Sequence, residues 1–251
     1  GWGGGRMRIK LLACEVFTRE VCYCIANSPH VVDPEFTKIA SHNNSDELRR
    51  ILQKKIDKAG SMQGKYDALL LLYGLCGNAT VGLFSHNLKL VIPRVHDCGS
   101  LLLGSGQRFK ECFGDNLSQP FCSVGYWERS EGRELEKLFV SLYNKTFEEY
   151  KKLYGEDNAR YLRKRLESTN LNGKVVYIEI PETKIPGWAE KVRLKAKKEK
   201  REYSKITGDI RLIRDLIHGV WDENQFLIMK PNQKTVGIYD WDKVIEAEDA
   251  R

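Results

Sequence analysis

Three of the seven cysteines stand where a protein can do chemistry. Cys14 ends the apolar run KLLA, Cys76 follows LLLLYGL, and Cys98 follows LVIPRVHD. Each lies at the C-terminal end of a run that reads as a strand, just ahead of an amphipathic stretch that reads as a helix. In an open parallel sheet all such turns share one edge, and ligands bind at that edge. Three cysteines separated by 62 and then 22 positions in sequence are therefore expected to converge.

A thiolate is favoured beside a helix start, and glycines directly after Cys76 and Cys98 allow close backbone approach. The amides of Gly77 and Gly99 can donate to a sulfide or an anionic substrate. Three bare thiolates at one point would repel each other, and a soft cationic centre relieves that repulsion. Cys14, Cys76 and Cys98 are thus candidate metal ligands that leave one position open. An all-cysteine donor set favours a 4Fe-4S cluster with one free iron, and zinc is the alternative. The lack of a C-x-x-C pair argues against a zinc ribbon or an ordinary ferredoxin. The bland reading is that these cysteines are small buried hydrophobes.

The neighbours extend the candidate site. His96 can be a fourth ligand, a general acid or a base. Asp97 can act beside it or cap the helix that starts at Gly99. Glu15 can move a proton or favour a helix start. Arg94 can bind a carboxylate or phosphate, or form a structural ion pair. Asn78 and Thr80 can contact a ligand or cap a helix over 79–84, and Ser100 lies in the same turn as Gly99. Cys22, Cys24, Cys112 and Cys122 are assigned to packing. Cys22 and Cys24 are two apart on a helix and so do not face each other. Gly104-Ser105-Gly106 is a weak phosphate-loop candidate.

These residues need a scaffold. Strands are expected over 8–13, 35–41, 68–72, 88–92, 121–124, 175–180 and 226–229. Helices are expected from 18 to 26, after the capping signal at 44–47, and over 101–113, 132–154, 157–167, 186–201 and 210–217. The runs ALLLL and LKLVI are apolar at every position, as strands buried on both faces are. Alternation of strands and helices implies an α/β fold with a doubly wound, mainly parallel, Rossmann-like sheet. The chain reads as a core over 7–130 carrying the cysteines and a second half over 131–251, and the two can be similar lobes. Gly1 to Arg6 (GWGGGR) precede Met7 and read as an expression scar.

Composition sets limits. With 41% hydrophobic and 30% charged residues among 251, the chain can bury a core and is not globally disordered. No apolar run reaches the ~20 residues of a membrane-spanning helix, and no signal-peptide core opens the chain. Without a secretion signal, an odd number of cysteines argues against a disulfide framework and for a cytoplasmic protein. Neither G-x-G-x-x-G nor a P-loop gives a nucleotide signal. The charge of +7 is concentrated over 189–205, where eight Lys or Arg face three Glu. This is a solvated helix face or a dock for an acidic partner, and nucleic acid is not the expected ligand.

At LLACEV (11–16), SPHVVD (28–33), YGLCGNATVGL (73–83), LVIPRVHDCGSLLLGS (90–105), YGEDNARYL (154–162) and GDIRLIRDLIHGVWDENQFLIMKP (208–231), the chain resembles the domain of unknown function 1638 family. The resemblance implies a cytoplasmic protein of bacteria or archaea, many of them anaerobes, with some members encoded near corrinoid-dependent methyltransfer genes. It carries over to Cys14, Cys76 and Cys98, with His96 and Asp97 beside them. The basic segment 189–205 departs from the family pattern. The family supplies no reaction, so the expectation rests on the cysteines. It is an iron–sulfur enzyme, a lyase or a sulfur or methyl-group transferase, that binds a small-molecule substrate at the open iron. The alternatives are a zinc-thiolate methyltransfer protein and a metallochaperone or accessory protein. For these, segment 189–205 would meet an acidic protein or a corrinoid protein.

Overall fold

The computed structural model describes residues 5–39, 45–114, 121–129, 174–238 and 243–250. The helices expected over 132–154 and 157–167, and the YGEDNARYL piece, lie outside them. The main sheet begins with β1 (Arg8–Cys14), β2 (Val31–Thr37), β3 (Ala68–Leu72) and β5 (Lys89–Pro93). The short β4 (Phe84–Ser85) precedes β5 in the chain but belongs to another sheet. All five residues of β3 are buried, as are the last four of both β1 and β5. Their backbone groups therefore have no water to turn to, and strand pairing is obligatory.

The pairing is parallel throughout this set: β1 with β2, β1 with β3, and β3 with β5. The three runs expected to be parallel neighbours are so. An edge strand, β9 (Phe226–Met229), closes the sheet antiparallel to β5, giving the order β2-β1-β3-β5-β9. The chain leaves β1 towards β2 and returns on the other side to β3, so the strand order reverses between β1 and β3. That is the crevice where doubly wound sheets bind ligands.

Helices cover both faces. The β1-to-β2 and β2-to-β3 connections run in opposite senses across the sheet, so the right-handed crossover rule assigns α1 (Thr18–Ala26) and α2 (Ser45–Gly60) to opposite faces. In α2 the buried Leu48, Leu52 and Ile56 recur every four residues, with Asp46 and Glu47 in the first turn and Lys58 in the last, as the helix dipole favours. After β5 come α3 (Cys98–Leu103) and α4 (Gly106–Phe113). The single helix expected over 101–113 is broken because Gly104 adopts φ +81° and Ser105 caps a new helix through the Arg108 N–H. The Gly104-Ser105-Gly106 stretch is this joint. Strand β2 starts four residues earlier than expected, at Val31, because Pro34 is tolerated on an edge strand that needs pairing on one side only.

A second, smaller parallel sheet has the order β6-β7-β8, from β6 (Phe121–Cys122), β7 (Lys174–Glu179) and β8 (Glu202–Thr207). It is flanked by α5 (Val124–Arg129) and by the basic helix α6 (Trp188–Lys198), and α7 (Arg211–Ile217) then packs against α1, β3 and β5. An antiparallel sheet joins β4, β10 (Gln233–Gly237) and β11 (Ile245–Asp249). The two parts of the chain about residue 130 thus interleave: β9 completes the first sheet, and β6 begins the second. No helix among the described residues is long and apolar enough to cross a membrane.

Between β1, β2 and α2, the Glu35 carboxylate bonds Lys10 Nζ at 2.8 Å and also Lys55 Nζ. Burial alone would raise this carboxyl, but hydrogen bonds and charge from the two lysines outweigh it and hold it at about 2. A lowered folded-state pKa gives stability that is present at neutral pH and lost as pH falls from about 4.5 towards 2. With roughly a third of the side chain exposed, solvent screening limits the effect to about 1 kcal/mol. Glu35→Gln should lower stability by that amount at pH 7 and match the parent near pH 2. Urea midpoints across this range check it, and a gap that stays constant with pH rejects it.

Candidate metal centre at the sheet edge

Cys14 is the last residue of β1 and is buried. In the β1–β3 register Ala13 faces Leu72, so Cys14 comes level with Tyr73, the first residue beyond β3. The chain then turns through Cys76, which is half-buried, while Cys98 opens α3 and is 5% exposed. The Sγ atoms of Cys76 and Cys98 are 4.0 Å apart. Backbone pairing sets this distance: Leu75 N–H donates to the Val95 carbonyl at 3.0 Å, and Cys76 N–H to the His96 carbonyl at 3.2 Å. A side chain at Gly74 would meet the Asp97 backbone, so only glycine lets the two turns touch.

Two tyrosines tie Cys14 to this pair. Tyr73 is fully buried and shares a 2.9 Å hydrogen bond with Thr37 Oγ1. Burial pushes its phenol well up, and charge at Cys14, Cys76 and Cys98 adds to the effect. Tyr126, on α5, is pushed up by burial and then by charge at Cys98 and Cys14, and its hydroxyl hydrogen-bonds Cys98. All three thiols therefore act on both phenols, and the three strand-end cysteines share one locality. Among the described residues, no group of three or more His, Cys, Asp or Glu is gathered closely enough to hold an ion as it stands. The 4.0 Å pair is formed, and Cys14 stands off from it.

The turn after β3 is strained. Cys76, Gly77 and Asn78 have φ of +47°, +65° and +69° in succession. Left-handed backbone costs a non-glycine residue about 1 kcal/mol or more, and strain of this kind gathers at functional sites. Gly77 and Asn78 are exposed, and the Asn78 carbonyl accepts from Arg49 at 2.8 Å. No helix forms over 79–84. Thr80 instead donates its hydroxyl to the Gly74 carbonyl at 3.2 Å and so closes the turn.

Other candidates take structural roles. Asp97 caps α3, accepting from the Ser100 N–H at 2.8 Å and the Ser100 hydroxyl at 3.1 Å. Burial pushes its carboxyl up to about 6 despite those bonds. Gly99 is wedged against the rings of Phe109 and Phe121, and its amide donates to the Asp97 carboxylate. His96 is half-buried, and burial lowers its imidazole below 6.5, which keeps it neutral at pH 7. Glu15 accepts from Ile39 N–H at 2.8 Å and fixes the end of β2. Arg94 donates to the carbonyls of Glu223, Lys243 and Ile245, clamping β5 to β11 away from the cysteines.

Cys24 and Cys122 are buried packing residues whose thiols burial pushes up to about 12. Cys22 and Cys112 were expected in packing but are exposed. Cys22 faces an open groove beside Arg19, Glu128 and Trp188. Cys112 is turned outward because α4 starts anew after Gly104. Sequence reasoning passed over Tyr73 and Tyr126. The first is visible as a tyrosine directly after ALLLL, but the second has no signal, since α5 reaches the edge only through tertiary packing.

That packing is tight at one point. A Cβ on Gly125 would collide with the Val16 carbonyl in the 3₁₀ turn (Glu15–Phe17) that follows Cys14. Gly125→Ala should push α5 off this turn, costing about 3 kcal/mol as backbone overpacking does. Gly60→Ala, with open space around it, should cost none. Urea midpoints of the two variants check this, and equal midpoints reject it.

The comparisons with known proteins add one assignment. No curated protein and no solved structure matches the chain. Residues 36–217, more than half of the chain, match the family described as protein of unknown function (DUF1638). That span holds Cys76, Cys98 and Tyr126, with Cys14 ahead of it. The chain belongs to the DUF1638 family.

Proposed function

We propose that the protein is an enzyme that works through a soft metal ion held by Cys76 and Cys98, with Cys14 moving in as the third ligand. The 4.0 Å sulfur pair carries this reading. Two sulfurs at ~2.3 Å from one tetrahedral ion lie about 3.8 Å apart. Thiolates on separate irons of a 4Fe-4S cluster stand wider, because each points away from the cluster. The pair therefore favours a single ion, with zinc the fitting choice for thiolate ligands, over the cluster that the all-cysteine set suggested. The strained turn at 76–78 and the buried phenols around the sulfurs support a functional rather than a filling role.

A thiolate-bound zinc with an open position supplies a Lewis-acid seat for a small substrate such as a thiol. The half-exposed Cys76 lies on the approach to that seat. Tyr126 donates a hydrogen bond to Cys98 and steadies its sulfur. His96, held neutral at pH 7 by burial, would be the residue to take the proton that a thiol gave up on binding there. Methyl transfer to such a thiol suits the corrinoid link that the family resemblance implies. The exposed Lys191, Arg193, Lys197 and Lys198 of α6 are the surface an acidic or corrinoid protein would meet. Two edge-on aromatic rings brace that helix, with Lys195 over Trp127 and Lys191 over Trp188.

Metal and sulfide analysis of anaerobically purified protein tests this. About one zinc per chain and no visible absorption are expected. Cys98→Ser and Cys76→Ser should each lose most of the metal, while Cys112→Ser keeps it. Four irons with matching sulfide would replace the single ion by the cluster. Protein carrying neither metal would overturn both. Handing a bound metal to a partner without turnover would mark an accessory protein.

A further inference from the structure

We infer that Cys76 and Cys98 form a reversible intramolecular disulfide in exchange with a small disulfide such as oxidised glutathione. This goes beyond the metal reading and stands whether or not an ion binds. Their sulfurs are 4.0 Å apart, about 2 Å beyond the ~2.05 Å of a disulfide bond. Rotation about the two Cα–Cβ bonds can cover that gap, provided the backbones are already close. They are: the Leu75–Val95 and Cys76–His96 hydrogen bonds and the Gly74–Asp97 contact hold the two turns together. The proximity is built into the main chain and does not depend on one rotamer pair.

Exposure sets the order of attack. Cys76 is half-buried and within reach of a small molecule, whereas Cys98 is 5% exposed. The Cys76 thiolate attacks one sulfur of the small disulfide. A Cys76–glutathione bond forms, the small disulfide breaks, and one glutathione thiolate leaves. The Cys98 thiolate then attacks Cys76 Sγ, forming the protein disulfide and expelling the second glutathione thiolate. Two electrons pass from the cysteine pair to the oxidant, and the cysteine protons go to solvent. Excess reduced thiol reverses both steps. Closing this bond removes both sulfurs from metal binding, so the oxidised protein is a closed state of the same edge.

The full chain carrying Cys22→Ser and Cys112→Ser, which removes the two exposed thiols, is incubated with chelator in glutathione buffers of graded poise. It is then alkylated and weighed. Five of the original seven cysteines remain in this chain. The expected product is lighter by two hydrogens, keeps three free thiols, contains a Cys76–Cys98 peptide pair and returns to five thiols with dithiothreitol. Adding Cys98→Ser should stop the reaction at a glutathione adduct on Cys76. Five free thiols at every poise, a persistent adduct on Cys76 in the chain that retains Cys98, or a bridge to Cys14 would each overturn the inference. Zinc added before the oxidant should slow closure roughly tenfold or more by occupying the thiolates. Closure at an unchanged rate counts against the metal reading and leaves the disulfide in place.

Discussion

Parallel pairing of β1, β3 and β5 in a water-free interior is the constraint on which the rest depends. Every residue of β3 is buried, so its amides and carbonyls must find partners in β1 and β5. Parallel neighbours cannot be joined by tight hairpins. Each connection must cross over a face and return to the starting edge. The turns that leave the strands are therefore gathered at the opposite edge, whatever residues they hold. Cys14, Cys76 and Cys98 occupy three of those turns. Reversal of the strand order between β1 and β3 places the first two on either side of the crevice, and the β3–β5 pairing brings the third alongside.

The edge does not stay open. The second sheet and α5 fold back over it, and this explains why Cys14 and Cys98 are nearly inaccessible while Cys76 is not. The contact is steric at Gly125, aromatic between Phe121 and Tyr126 at 5.4 Å, and polar where the Tyr126 hydroxyl meets Cys98. A phenol buried among thiols can donate to a thiolate without carrying charge itself, since its own ionisation is pushed far up. The same burial lowers His96, which is neutral at pH 7, and raises Asp97 only to about 6, so the carboxylate that caps α3 stays mostly ionised there.

The main strands were legible because burial on both faces leaves an uninterrupted apolar run. ALLLL and LKLVI have that form, and VVYIEI gave β7. Direction is not encoded in such a run: FLIM reads like its neighbours, yet β9 is antiparallel. The polar strands β8, β10 and β11 lacked the signal, since β8 buries none of its side chains fully and β10 and β11 bury one each. Phase was lost at Gly104. On one continuous helix Cys112 would lie eleven residues from Leu101 and share its face. A left-handed residue followed by a new cap resets the rotation, so Phe109 turns inward and Cys112 outward. The meeting of Cys76 and Cys98 follows from strand ends alone, while Cys14 stands off from the pair. The tyrosines, the clamp made by Arg94 and the Glu15–Ile39 bond depend on long-range contacts that no local pattern marks.

The chain also carries its own contrast between filler and site. Cys24 and Cys122 are what packing cysteines look like: buried in regular elements, with thiols pushed up to about 12 by the apolar surroundings. Cys76 differs in place and in exposure. It sits in irregular chain, half-exposed, in a left-handed conformation that a small hydrophobe gains nothing by adopting. Packing would be served as well by a glycine or alanine in a relaxed turn. The neighbouring turn contributes Cys98 at contact distance, held there by main-chain bonds rather than by fit of the side chains. A local free-energy cost that persists at a residue with reactive chemistry, opposite a second such residue, is best accounted for by what the two sulfurs do together.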